Sequence, residues 1–108
     1  MLVLANKNLL KQQCFIDGQW VAADKPKKIT VKNPVNGKTI AHVPACETAE
    51  TTRAIHAAHK AYLSFAKLTA EQRANHLRQW AELIERDKED LARLMTLEGG
   101  KPIKEARA

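Results

Sequence analysis

Apolar and polar residues change rhythm once along this chain, close to Cys46. Before that point the apolar residues come in short runs. Phe15–Ile16 and Trp20–Val21 flank Asp17–Gly18. Asp-Gly suits a type I′ turn because both central residues need positive φ, so "CFIDGQWV" predicts a tight hairpin. "AADKPKK" is a loop. In "ITVKNP", Ile29 and Val31 alternate with Thr30 and Lys32, the period of a half-buried strand, and Asn33–Pro34 ends it. Asn36–Gly37 turns the chain into a further strand, "KTIAHVP", stopped at Pro44. Residues 1–13 read as a polar arm with Leu9 and Leu10 as anchors, and residues 14–46 as a small antiparallel β unit.

After Cys46 the apolar positions recur at helical spacing. Ala54/Ile55, Ala58, Ala61/Tyr62 and Phe65 share one face, with Thr48 as the expected N-cap and Glu50 in the first turn, where the helix dipole favours an acid. The alanines predict that another element approaches this helix closely. "TAEQ" is a clearer start signal: Thr69 and Gln72 fit a capping box. Leu77, Trp80/Ala81 and Ile84 line one face of the helix it opens. Asp87 is the expected cap of a third helix with Leu91, Leu94 and Met95 facing inward, and Gly99 is the expected left-handed stop. Pro102 then occupies the first position of a new helix, where its missing N–H is not needed. Only seven residues follow Lys101, a poor isolated helix. The expected fold class is therefore α+β: an antiparallel β unit, three helices and the start of a fourth, with residues 47–108 as one helical segment.

Composition limits what this pattern can bury. The chain has 108 residues, enough for one modest domain, and 44% are apolar. Seventeen of them are alanines, which remove little area from water, whereas a buried Leu, Ile or Phe contributes about 1.5–3 kcal/mol. A thin core is expected. The net charge of +6 is uneven: residues 1–46 hold seven lysines against Asp17 and Asp24, while residues 47–108 hold eleven basic and ten acidic residues. A basic β unit is one way to hold nucleic acid or an acidic protein, so a free-standing binding module is the alternative function. The lysines are scattered, no arginine precedes Arg53, and no aromatic ladder runs between them, which argues against nucleic acid.

Two cysteines, Cys14 and Cys46, make neither a disulfide framework nor a zinc site. "MLVLA" is too short for a signal-peptide apolar region, and no run approaches the roughly 18 residues of a membrane span. A reducing, cytoplasmic setting without membrane partners is expected. His56 and His59 have a spacing compatible with one metal, but no Cys or acid on that face completes a ligand set. His42 and His76 stand alone. Cys14 behaves as a small hydrophobe, and Cys46, ahead of a helix N-terminus, has no evident base to make it a nucleophile. Glu82, Glu85 and Glu89 with Arg78, Arg86 and Lys88 read as a solvated helix face. "LEGGKP" lacks the phosphate-loop spacing and follows a helix where a strand is required. No catalytic, cofactor-binding or metal residue is assigned.

The order of motifs carries more than any one of them. "FIDGQWV", "NPVNGKTIAHVP", "AAHKAYLSFAKLTAEQRANHLRQWAELI" and "DLARLMTLEGGKPIKEA" together resemble the N-terminal segment of the NAD(P)-dependent aldehyde dehydrogenase superfamily, over about residues 14 to 108. "LTAEQRANHLRQW" and the last of these motifs look most like the succinate-semialdehyde dehydrogenase branch. Phe65 stands where family members often carry Trp, and Gly99 where a bulkier residue is common. The resemblance implies a longer α/β parent in which a cysteine thiolate attacks an aldehyde, hydride passes to NAD(P)+, and water releases the acid. It implies that the catalytic cysteine, the general-base glutamate and the cofactor residues lie downstream, and that Cys14 and Cys46 do not inherit a catalytic role. It also implies, for some members, a monovalent cation on backbone oxygens near Lys32 and Glu98, with another ligand beyond residue 108. The chain is accordingly expected to be an N-terminal fragment, inactive and without bound cofactor by itself. Its expected partners are the remainder of the parent and, through exposed apolar helix faces, other copies of itself.

Overall fold

Asp17 and Gly18 both take left-handed backbone conformations, φ 52° and 75°, as the type I′ turn requires. They join β1 (Cys14–Ile16) to β2 (Gln19–Val21), with Phe15 opposite Trp20. The two rings lie 5.1 Å apart in a tilted contact. The coordinates are a computed structural model that describes residues 3–108; Met1 and Leu2, the start of the expected arm, lie outside the described residues. The second ladder joins β3 (Lys28–Lys32) to β4 (Thr39–Pro44), with Ile29 opposite Val43 and Val31 opposite Ala41. A register shift at Val31/Lys32 places Lys32 opposite Thr39.

The β segment thus resolves into two separate two-stranded ladders. The His42 N–H, on β4, donates to the Gln12 side chain at 2.9 Å, so a side chain satisfies that group. The loop after β2 is drawn to the first helix, where Arg53 binds Asp24 and Lys25 binds Glu47.

Four helices follow: α1 (Thr48–Phe65), α2 (Ala70–Arg86), α3 (Lys88–Gly99) and the short α4 (Ile103–Ala106). Four expected details are corrected. The N-cap of α1 is Glu47, and Thr48 is its first helical residue. Glu50 fixes this register: its carboxylate turns back to accept the Glu47 N–H at 3.1 Å. At α3, Asp87 occupies the N-cap position, but its side chain makes no cap bond; Arg86 takes it in two bonds of 3.1 and 2.7 Å. The left-handed stop of α3 is Gly100, φ 71°, while Gly99 is still helical. Pro102 precedes α4 as its N-cap, its carbonyl accepting the Ala106 N–H at 2.9 Å. The capping box of α2 stands as expected: Gln72 N–H donates to Thr69 Oγ1 at 3.2 Å and Thr69 N–H to Gln72 Oε1 at 2.9 Å.

The N-terminal arm is anchored differently from the sequence expectation. Leu9 and Leu10 are only half-buried, at and after a single 3-10 turn (Lys7–Leu9), and Leu4 is the buried leucine. Asp90 on α3 holds the arm by accepting the Ala5 N–H at 3.1 Å and the Asn6 N–H at 2.8 Å, and Arg93 donates to the Val3 carbonyl at 2.9 Å.

The core is as thin as the alanine count predicts. Among the described residues the buried apolar side chains are Leu4, Ala41, Pro44 and Ala92. The chain exposes 8499 Å², against about 6,000 Å² for a compact monomer of 12.1 kDa. Its radius of gyration is 16.7 Å, where a compact chain of this length has roughly 13 Å. Apolar helix face contributes to the surplus. Ile55 and Tyr62 on α1, and Leu77 and Trp80 on α2, are each more than half exposed, Trp80 at 63%. On α3, Leu91 and Leu94 are half-buried, but Met95, expected inward, is 47% exposed.

Candidate functional site

The first hairpin leans on the alanine face of α1, as the alanines predict, without closing against it. Phe15, Ile16 and the Asp17–Gly18 turn face Ala54, Ala57, Ala58 and Ala61 across an open groove of about 280 Å³. A wider opening of about 540 Å³ continues past Val21 and Asp24 to Arg53, His56 and Lys60. Its charged wall is organised by one bidentate pair. Arg53 Nη1 and Nη2 donate to Asp24 Oδ2 and Oδ1 at 2.9 and 2.7 Å. The hydrogen bond from Arg53 holds the Asp24 carboxyl below its ordinary value of 3.8, and Asp24 in turn raises the Arg53 guanidinium.

Beside this pair lie the two cysteines. Cys14 Sγ and Cys46 Sγ are 3.5 Å apart, both half-buried and both free. The contact with Cys14, then burial, push the Cys46 thiol up to about 11. That is opposite to what a nucleophile needs, since the thiolate is the reactive form. Sequence spacing gave no sign that residues 14 and 46 meet.

The histidines do not converge. His56 lines the wide opening and His59 is exposed one turn on. His42 contacts Thr30 Oγ1 at 3.3 Å across the second ladder, and His76 lies 6.4 Å from the Phe65 ring. Among the described residues no three His, Cys, Asp or Glu side chains are placed to hold a metal. The acidic residues of α2 and α3 are exposed apart from the buried Asp90 and the half-buried Asp87. Glu89 pairs with Arg107 at 2.9 and 3.0 Å and is thereby held below its ordinary value of 4.5. Of the lysines in the basic half, Lys25 binds Glu47 at 2.7 Å and Lys11 sits 4.8 Å from the Trp20 ring centre. "LEGGKP" forms a helix end, with Gly100 packed toward Pro34.

Two buried carboxylates carry structural work that the sequence pattern did not assign. Glu50 caps α1 and Asp90 ties the arm to α3. Glu50 was legible as a first-turn acid; its reach back to Glu47 follows the spacing of a capping box with Glu in the first place. No local signal marks Asp90.

No helix in the described residues is long and apolar enough to cross a membrane. The comparisons with known proteins agree on one lineage. The sequence model of the aldehyde dehydrogenase family matches residues 20–108. The glutarate-semialdehyde dehydrogenase of Pseudomonas aeruginosa is 49% identical over 104 residues, 96% of this chain and 22% of that protein. The succinate-semialdehyde dehydrogenase [NADP(+)] GabD of Escherichia coli is 45% identical over 104 residues, again 96% of this chain and 22% of that protein. In a solved aldehyde dehydrogenase from Brucella melitensis biovar abortus 2308, 43% identical, the same fold recurs with a TM-score of 0.96, covering 99% of this chain and 22% of that one. The chain spans about a fifth of the length of these relatives. With strand pairs, helix order and sequence all in agreement, the chain belongs to the aldehyde dehydrogenase family.

Proposed function

We propose that these 108 residues are the N-terminal segment of an NAD(P)-dependent dehydrogenase for a semialdehyde, an aldehyde whose other end is a carboxylate, and that they serve it as scaffold. The observation that carries this reading is the near-complete match of the chain to about a fifth of two semialdehyde dehydrogenases. The helix faces agree with it. Tyr62 on α1 and Trp80 on α2 are exposed by 62% and 63%, at a cost in unburied area that a covering domain removes at about 25 cal/mol per Å².

The reaction belongs to the part of the parent beyond this segment. NAD(P)+ there accepts the hydride. The residues present do not fit the dinucleotide: Gly99 and Gly100 end a helix where a phosphate-binding turn follows a strand, and Gly100 is packed toward Pro34. No step is therefore assigned to this segment, and the 108 residues alone turn over no aldehyde. A cytoplasmic setting is part of the same reading.

Two assays test it. The purified chain, given succinate or glutarate semialdehyde with NAD+ or NADP+, forms no reduced nicotinamide; turnover overturns the scaffold role. A chimera in which this chain replaces the matching segment of the E. coli relative retains succinate-semialdehyde oxidation. A chimera that folds and assembles but is inactive overturns the proposed membership in that branch.

A further inference from the structure

We propose that Cys14 and Cys46 form an oxidative modification site: a dithiol that closes to an intrachain disulfide between β1 and the entrance of α1. Four observations converge on it. The sulfurs are 3.5 Å apart although 32 residues separate them in sequence. An S–S bond is about 2.05 Å long, so closure asks each sulfur to move by about 0.7 Å if the difference is shared. Both side chains are half-buried and accessible to a small oxidant. The backbones that carry them are held from both sides. Cys14 is the first residue of β1, opposite Val21. Cys46 lies between Ala45, whose N–H donates to the Lys27 carbonyl at 3.1 Å, and Glu47, whose N–H donates to Glu50.

Two exposed ion pairs, Arg53–Asp24 and Lys25–Glu47, also link the first hairpin region to α1. Such pairs contribute little and weaken in salt. A covalent bond at Cys14–Cys46 fastens the same two elements independently of ionic strength.

The chemistry needs a two-electron oxidant, hydrogen peroxide. Either sulfur of the pair can react first, and the balance is the same with the two exchanged. The Cys14 thiolate attacks one peroxide oxygen; an S–O bond forms, the O–O bond breaks, and the hydroxide released takes up a proton as water. Cys14 is then a sulfenic acid. The Cys46 sulfur attacks the Cys14 sulfur, the S–S bond forms and the S–O bond breaks. Hydroxide leaves and takes the proton lost by Cys46 as a second water. In sum, two thiols and one peroxide give one disulfide and two waters. A reducing thiol pool returns the dithiol by exchange.

The test is the effective concentration of the pair, read from redox equilibrium of the 108-residue chain with a glutathione couple, in buffer and in concentrated guanidinium chloride. The expected result is a value at least tenfold higher in buffer, with peptide mass mapping showing the Cys14–Cys46 linkage after peroxide treatment. Cys14→Ser and Cys46→Ser each abolish the intrachain product. An equal or lower value in buffer than in denaturant overturns the proposal, because proximity then owes nothing to the fold. So does oxidation of dilute chain that yields mainly interchain dimers or singly oxidised cysteines.

Discussion

Asp90 holds Asn6 across 84 residues of sequence, its Oδ2 accepting the Asn6 N–H at 2.8 Å while Oδ1 accepts the neighbouring Ala5 N–H at 3.1 Å. Asp90 itself is 5% exposed, so the carboxylate that accepts both bonds is shielded from water. Asp90→Ala leaves two donors unpaired and frees Arg93, which lies 3.6 Å from the carboxylate. The expected loss is about 2–3 kcal/mol, with Asp90→Asn losing about half as much because one acceptor survives. Urea midpoints measure the stability change. Amide exchange at Ala5 and Asn6 locates it, since protection there falls far more than within α2. Unchanged exchange at those amides would refute the anchoring role.

At the end of α3 two adjacent glycines have opposite requirements. Gly100 takes φ 71°, and a Cβ built on it would lie 3.2 Å from Pro34 Cγ; Gly99 is helical with open space around its Cβ position. Gly100→Ala is expected to destabilise the chain by about 1–2 kcal/mol through the left-handed backbone alone, with the Pro34 approach adding to it. Gly99→Ala is expected to be neutral or to stabilise by up to about 1 kcal/mol, the helix-interior preference for alanine. The thermal midpoint of Gly100→Ala should therefore fall, while that of Gly99→Ala holds level or rises.

The same pair shows what was legible in the sequence. A stop signal of two glycines after a periodic run marks a helix end, but either glycine satisfies the pattern. The choice is made by the bond from Gly100 N–H to Thr96 O at 2.9 Å, set by where the helix register began. Two local signals were read correctly, the Asp17–Gly18 turn and the Thr69–Gln72 box. The α1 start was misplaced by one residue because Thr48 is the better cap by type, whereas Glu50 bonding back to Glu47 decided the register. What joins distant segments was not legible: Leu4 and Asp90 fastening the arm, or Cys14 meeting Cys46. Those contacts depend on tertiary placement, to which hydrophobic period is blind.

Acid should loosen the chain in a defined window. Asp24, Asp87 and Glu89 are each held below their ordinary values of 3.8, 3.8 and 4.5, first of all by hydrogen bonds from Arg53, Arg86 and Arg107. Folded-state values below unfolded ones mean that their stabilisation is complete while both states are ionised, above the ordinary values. It is lost as pH falls, because the unfolded chain takes up protons first, and it is gone below the folded values. Urea midpoints are expected to be flat from neutrality down to about pH 5 and to fall below that. Asp24→Asn, Asp87→Asn and Glu89→Gln together flatten the fall. All three pairs are exposed on at least one side, so raised salt should also shrink the effect.

Trp80 offers a direct view of the uncovered helix face. It is 63% exposed on α2, in line with Leu77 and Ile84, and Trp20 is the chain's other tryptophan. In a Trp20→Phe background, acrylamide should quench Trp80 emission nearly as well as it quenches a free indole. In the chimera with the E. coli relative, whose own tryptophans are replaced by phenylalanine, the same residue should be protected severalfold and its emission shifted to the blue. Partial protection that grows with the concentration of the 108-residue chain would mean that copies of the chain cover one another. Trp80→Gln should then weaken that association, since indole burial supplies much of the apolar area at stake. Full quenching in an assembled, active chimera would show that this face meets solvent in the parent too, and the scaffold reading of α2 would fail.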